Sequence, residues 1–246
     1  MSNNQVSKKI VRTHDEFYAK VDPKAPPKDS FIQIADLITE YKKTISGNIS
    51  IVDFGCAAGA FVNYLNHQFE NDNIIGYEYL EALVRAGKEN YPNIQIEQAS
   101  IFERNSIPQS SIDVLTLLGV LCMFDDIEPI VLNIVDWIKP GGKLFIHGMF
   151  NPLDVDVFVK YRMSEKYSEE TYEAGWNIVS QKTITRLLLD NGAKSLKFHD
   201  FNLSVDLEKN HQDPLRSWTE RLENGTRQIV NGTCLKQPHS ILEVDF

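Results

Sequence analysis

Ile49-Ser-Ile-Val-Asp53-Phe-Gly55-Cys-Ala57-Ala-Gly59-Ala-Phe-Val62 reads as strand, glycine turn and helix. Ser50 to Phe54 is a short run rich in β-branched residues that stops at Gly55. After Gly59, Phe61, Val62, Leu65 and Phe69 recur with helical period. Glycines in such a turn remove the Cβ atoms that would keep a ligand off the backbone, at the crevice where open α/β sheets hold cofactors. Glu78 stands at the end of the next strand, placed to accept both hydroxyl hydrogens of a ribose. Taken singly, the glycines can serve only to tighten a turn, and Glu78 can be an ordinary strand-end acid. Their order and spacing together favour a nucleoside site.

The alternation continues outward. Upstream, Phe31, Ile34, Leu37 and Ile38 have helical spacing, with Asp29 or Ser30 placed to cap the helix. Downstream, Asn73-Ile-Ile-Gly-Tyr-Glu78 is a second strand, Leu80 to Asn90 a helix, Ile94-Gln-Ile-Glu97 a third strand and Ile112 to Leu118 a fourth. Ile127 to Ile138 is a helix ended by Lys139-Pro-Gly-Gly142, and Lys143 to Gly148 the fifth strand. Repeated βα units of this length imply a doubly wound, mostly parallel sheet.

Past Asn151 the regularity loosens. Val155 to Met163 is expected as a helix, and Ser180 caps a clear one that runs through Leu187-Leu-Leu189 and ends at Asn191-Gly192. Ser195 to Val205 and Ser240 to Phe246 read as late strands, with a polar insertion from Glu208 to Pro238 between them that holds two Asn-Gly turn signals. The expected organisation is one domain over 1–246. Residues 1–30 form an N-terminal extension, 31–150 a cofactor-binding core, and 151–246 the remaining strands with insertions that select the substrate.

Composition narrows the partners. The 246 residues carry 25 Lys plus Arg against 34 Asp plus Glu, a formal charge of −9, with 42% hydrophobic residues. This acidic balance gives no general pull toward nucleic acid. Three widely spaced cysteines without CxxC suggest neither a disulfide framework nor a metal site. The polar N-terminus and the lack of any membrane-length apolar run lead to the expectation of a cytoplasmic protein without a membrane partner.

Asp53-Phe-Gly55-Cys-Ala57-Ala-Gly59 resembles the first motif of the class I S-adenosylmethionine-dependent methyltransferases, commonly D-x-G-x-G-x-G, with Ala57 in place of the middle glycine. Four further features match in order: Glu78, the Ala99-Ser100-Ile101-Phe102 segment, Ile112 to Leu115, and Leu132 to Gly142. The resemblance spans roughly residues 31 to 205 and implies a Rossmann-like, seven-stranded sheet with an antiparallel last strand. It implies S-adenosylmethionine as cofactor, released as S-adenosylhomocysteine. Asp53, Gly55, Ala57, Gly59, Glu78, Tyr79, Ser100, Ile101, Phe102 and Leu118 form the implied cofactor set. Many relatives have Asp where Ser100 stands, which leaves Ile101 and Phe102 to pack on the purine or to serve as ordinary core.

The implied reaction is in-line methyl transfer to a hydroxyl or amine of a small molecule. His147, near the end of the fifth strand, is the candidate general base, with a structural role as the alternative. His14 and Tyr18 are candidates for a lid over the cofactor or for a surface helix. Tyr161, Arg162, Trp176 and Arg216 are candidates for substrate contacts, and Cys122 reads as packing. Two other functions stay open: an NAD(P)-dependent oxidoreductase, for which the pyrophosphate-binding G-x-G-x-x-G is missing, and a non-catalytic cofactor-binding scaffold or partner subunit.

Overall fold

The computed structural model describes residues 18–19, 22–168 and 172–246. Helix α1 (Asp29–Lys42) is followed by β1 (Ser50–Phe54), α2 (Ala60–Gln68), β2 (Asn73–Glu78), α3 (Glu81–Asn90), β3 (Gln95–Gln98) and β4 (Ile112–Leu118). Then come α4 (Glu128–Trp137), the long β5 (Ile138–Asn151), β6 (Lys160–Tyr161), β7 (Glu173–Ala174), β8 (Val179–Ser180) and α5 (Gln181–Asp190). The chain closes with β9 (Ser195–Asp200), β10 (Trp218–Arg221), β11 (Arg227–Val230) and β12 (His239–Asp245).

The main sheet runs β3-β2-β1-β4-β5-β12-β9, with β8 an added eighth strand on β5. Strands β1 to β5 pair in parallel, whereas β12 inserts antiparallel between β5 and β9. This is the mostly parallel Rossmann-like sheet with an antiparallel last strand that the sequence implied. Strand order reverses between β1 and β4, which is where such sheets open a ligand crevice.

Side-chain alternation on the strands feeds two cores. Ile51, Val114, Phe145 and Ile241 point to the face covered by α1, α2 and α3, while Val52, Leu115, Ile146 and Leu242 point to the face covered by α4 and α5. Helix α1 contributes Phe31, Ile34, Ala35, Ile38 and Tyr41, a stripe at helical spacing. Helix α5 begins as its sequence indicates: the Ser180 hydroxyl accepts from the amides of Lys182 and Thr183. Among the described residues no helix is long and apolar enough to cross a membrane.

Three expectations are corrected. Neither Asp29 nor Ser30 caps α1. Lys28 occupies the cap position, and both Asp29 carboxylate oxygens are taken instead by Ser204, from its amide at 2.8 Å and its hydroxyl at 2.7 Å. Val155 to Met163 is not a helix, because Val155, Val157 and Val159 alternate with period two: Val157 bridges Ile178, and Lys160–Tyr161 pairs with Glu173–Ala174. The two Asn-Gly pairs also differ. Asn224-Gly225 turns the β10–β11 hairpin, with Gly225 at φ +81°. Asn231 is fully buried and serves as a post: its amide group donates to the Leu215 carbonyl and its side-chain oxygen accepts from Thr233.

Candidate functional site

The turn after β1 is held down by packing from below. Gly55 and Gly59 adopt φ +76° and +78°, and Ala57 φ +49°, all in the left-handed region. A Cβ on Gly55 would meet Val120 Cγ2 at 2.5 Å, and one on Gly59 would meet Ile94 Cδ1 at 2.4 Å. These two glycines therefore let the turn sit close on the core, the turn-tightening role that the sequence also allowed. Gly76 and Gly87 do the same from below: a Cβ on Gly76 would strike Cys56 Sγ at 2.7 Å, and one on Gly87 would approach the Ala58 carbonyl. Cys56, Ala58 and Gly59 are thus buried, and Gly55 and Ala57 are the turn residues left at the surface.

Glu78 ties the turn to the next strand. Its Oε2 accepts from the Ala57 amide at 3.0 Å and its Oε1 from the Leu80 amide at 2.9 Å. Glu78 is 7% exposed, so its carboxylate is buried against the turn. Asp53 lies beneath the turn, 2% exposed, accepting from the Thr116 hydroxyl at 2.8 Å. Burial, opposed by the Thr116 hydrogen bond and aided by the negative charge of Glu78, pushes its carboxyl up to about 7. Through Thr116 the Asp53 carboxyl ties β1 to β4 just below the turn. Burial likewise raises the Cys56 thiol well above its usual range.

The remaining residues fall into two groups around the crevice. Tyr79 is exposed beside Glu78, and Leu118 is half-buried at the end of β4. After it comes Gly119, exposed at φ +74°, whose missing Cβ faces open space. Ser100 uses its hydroxyl to accept from the Phe102 amide at 3.3 Å. Ile101 is buried in the core on the α4 face, whereas Phe102 is half-buried, edge-on to Phe124 at 5.1 Å. The core role therefore holds for Ile101, and Phe102 is the one that reaches the surface. Cys122 packs with Met149 and Ile178, its thiol 3.1 Å from the Gly119 carbonyl.

His147 stands two strands along from the turn, on the face covered by α1, paired in register with Leu118. Its ring packs edge-on to Phe201 at 4.6 Å and stacks on His239 at 5.0 Å. Its Nε2 and the Nδ1 of His239 are enclosed without a hydrogen-bond partner. Burial above all, then the nearby His239 and the charge of Lys28, lower the His147 ring well below its usual range; burial brings His239 to about 4. Both rings are neutral at pH 7. His239 carried no signal of its own in the sequence, since the His147 ring it stacks on is 92 positions away.

Of the other candidates, Tyr18 is 38% exposed, and His14 lies outside the described residues. Tyr161 and Trp176 stack with ring centroids 6.0 Å apart, and Tyr161 also donates to Glu173 at 2.8 Å. Arg162 lies over the Tyr172 ring at 5.1 Å. These residues hold the excursion after β5 together. Arg216 belongs to a different cluster, near Lys28.

A profile described as the methyltransferase domain matches residues 28–197, more than two thirds of the chain. The chain belongs to this methyltransferase family. The family is that of the class I fold, whose methyl donor is S-adenosylmethionine. The chain is 24% identical over 102 residues to a putative methyltransferase, 235L, of Invertebrate iridescent virus 6, a match covering 42% of this chain and 38% of that protein, so it spans well under half of that relative's length. In structure it is similar to a methyltransferase from Thermotoga maritima described as a possible histamine N-methyltransferase, with a TM-score of 0.50 and 15% identity over 88% of this chain and 90% of that one. It is also similar to the YcgJ protein of Bacillus subtilis, with a TM-score of 0.57 and 11% identity over 87% of this chain and 98% of that one. At such identities the structural likeness speaks to the fold.

Proposed function

We propose that this chain binds S-adenosylmethionine over the Gly55 to Gly59 turn and transfers its methyl group to a hydroxyl or amine of a small molecule. The observation that carries the reading is Glu78: a buried carboxylate at the end of β2, held against the turn by the Ala57 amide, where a ribose diol would lie. Gly55, Ala57, Tyr79, Leu118 and Phe102 complete the surface that would hold the cofactor, with Asp53, Gly59, Ser100 and Ile101 shaping it from beneath. When bound, the cofactor supplies a methyl group activated by its sulfonium.

The chain's own part is to orient an acceptor and exclude water. An amine acceptor needs only to be unprotonated, whereas a hydroxyl needs a base. His147 is the side chain of the right type on the acceptor side, yet its Nε2 is enclosed and its proton affinity is depressed. The amine reading places fewer demands on this site. We further propose one domain across 1–246, in which the excursions after β5 and β9 shape the acceptor side. The net charge of −9 supports a small acceptor over nucleic acid.

Calorimetry of the full chain with S-adenosylhomocysteine and with NADPH tests the cofactor. The expected result is binding of the former only, and binding of NADPH alone overturns the proposal. Transfer of labelled methyl from the cofactor to small-metabolite extracts, compared with protein and RNA fractions, then tests the acceptor class. Label confined to a macromolecular fraction rejects the small-molecule reading.

A further inference from the structure

The chain carries Asn-Gly pairs at Asn191-Gly192, Asn224-Gly225 and Asn231-Gly232, and the fold gives each a different setting. In such a pair the glycine nitrogen is a latent nucleophile toward the preceding side-chain amide, because no side chain shields it. Whether it attacks depends on how freely the local backbone opens to bring nitrogen and carbon together, and on access of water to the product.

Asn231-Gly232 is locked. Asn231 is 0% exposed, its Nδ2 donates to the Leu215 carbonyl, and its Oδ1 accepts from both the amide and the hydroxyl of Thr233. Gly232 donates to the Pro214 carbonyl at 2.7 Å, and a Cβ there would meet that same oxygen at 2.5 Å. Asn191-Gly192 closes α5 and is held less firmly. Asn191 is half-buried and donates from Nδ2 to the Leu187 carbonyl at 2.8 Å, while Gly192 donates to the Leu189 carbonyl at 3.2 Å. Asn224-Gly225 is the least restrained. Residues 221–226 are all exposed, and nothing lies within 4 Å of where a Cβ on Gly225 would stand. Gly225 donates to the Leu222 carbonyl, Leu222 to the Thr226 carbonyl, and the Thr226 amide to Asn224 Oδ1. These bonds lie at the tip of a two-stranded hairpin, where water competes for them and local opening costs little.

We propose that Asn224 is a site of spontaneous deamidation through attack by the Gly225 main-chain nitrogen, while the fold slows the same reaction at Asn191 and shields Asn231 from it. The Gly225 nitrogen gives up its proton and bonds to Asn224 Cγ. The Cγ–Nδ2 bond breaks, and the side-chain nitrogen leaves as ammonia with that proton. Water then adds to either carbonyl of the cyclic imide and opens it to aspartate or isoaspartate, with no change of oxidation state. Either product puts a new negative charge three positions from both Arg221 and Arg227, which face each other across the hairpin and both hold Asp206. Isoaspartate also adds a main-chain carbon between 224 and 225, so the bond from Leu222 to Thr226 loses its register. The modification is independent of the methyltransferase reading.

The test ages the full chain in mildly alkaline buffer made with heavy-oxygen water and digests it with trypsin in ordinary water, so that only conversion during ageing carries label. Cleavage after Lys and Arg places the three asparagines in separate peptides, 187–194, 222–227 and 228–236. Mass spectrometry is expected to find label first in 222–227, at about tenfold or more the rate in 228–236, with 187–194 between them. In denaturant the three rates should converge. Asn224→Gln should remove the label from 222–227 and leave the other two peptides unchanged. Label that appears first in 187–194 or 228–236, or in none of the three, overturns the proposal. So does an order that survives denaturation unchanged, because the sequence alone would then set it.

Discussion

Glu78 and Ala57 are joined across the first crossover: the buried carboxylate accepts the amide of a residue held at φ +49°. One side chain thus fixes the turn and, in the proposed function, faces the ribose. The two roles separate by substitution. Glu78→Ala leaves the Ala57 and Leu80 amides without their partner and removes the acceptor, so both stability and cofactor affinity fall, by on the order of 1–3 kcal/mol for each bond lost. Glu78→Gln keeps one good acceptor and is expected to recover most of the stability but less of the affinity for S-adenosylhomocysteine. Paired urea melts and calorimetry check this. Unchanged affinity in both variants removes Glu78 from the site.

Ala57 sits where relatives commonly have glycine, in a conformation that costs an L-residue about 1–2 kcal/mol. Ala57→Gly relieves that strain and gives back part of it through the greater freedom of the unfolded chain. The expected net gain is about 0.5–1 kcal/mol in unfolding free energy. The opposite change at Gly59 should be costly, because its φ of +78° strains any side chain and the new Cβ must also push the Ile94 side chain aside. Gly59→Ala is expected to destabilise by about 1–3 kcal/mol. Thermal or chemical denaturation of the two variants reads both signs.

These contrasts show what a linear sequence carries. The strand, turn and helix from Ser50 to Gln68 were legible because the hydrophobic period changes from two to 3.6 across the glycines. Glu78 was legible because a short parallel strand has one end, and that end faces the crevice. The sequence does not reveal that Gly55 and Gly59 lie directly against Val120 and Ile94, since those contacts come from distant elements. For the same reason Asp29 looks like a helix cap until Ser204, 175 positions away, claims both its oxygens. The alternating valines at 155, 157 and 159 carried a strand signal that a helical reading overlooked.

The stability of the protein should bear the signature of Asp53. Its carboxyl is raised from 3.8 to about 7 in the folded state, so between these values the folded chain holds a proton that the unfolded chain has released. Its contribution to stability is therefore full below about pH 4 and is lost as the pH rises toward 7. Asp53→Asn keeps an acceptor for the Thr116 hydroxyl and does not ionise. The unfolding free energy of the variant relative to the parent is expected to grow by on the order of 2–4 kcal/mol from pH 4 to pH 7, then level off. Urea melts of both proteins across that range measure the difference directly, and a flat difference shows that Asp53 does not titrate there.

Asn177 should control the excursion after β5 without touching the cofactor turn. It is 1% exposed; its side-chain oxygen accepts the Val159 amide at 2.8 Å, and its nitrogen donates to the Phe124 carbonyl and to Asp125. Its own amide reaches the Cys122 carbonyl at 2.8 Å, so one residue links the excursion to the segment that follows β4. Asn177→Ala removes three side-chain hydrogen bonds and leaves a buried amide and carbonyl unpaired, a loss of about 2–4 kcal/mol. If the excursion shapes the acceptor side, its loosening should raise KM for the acceptor while binding of S-adenosylhomocysteine stays close to that of the parent. Amide hydrogen exchange should show faster exchange in residues 157–161 and 173–178, with β1 and β2 unaffected. Equal losses of cofactor and acceptor binding would mean that the segment supports the whole crevice instead of one side of it.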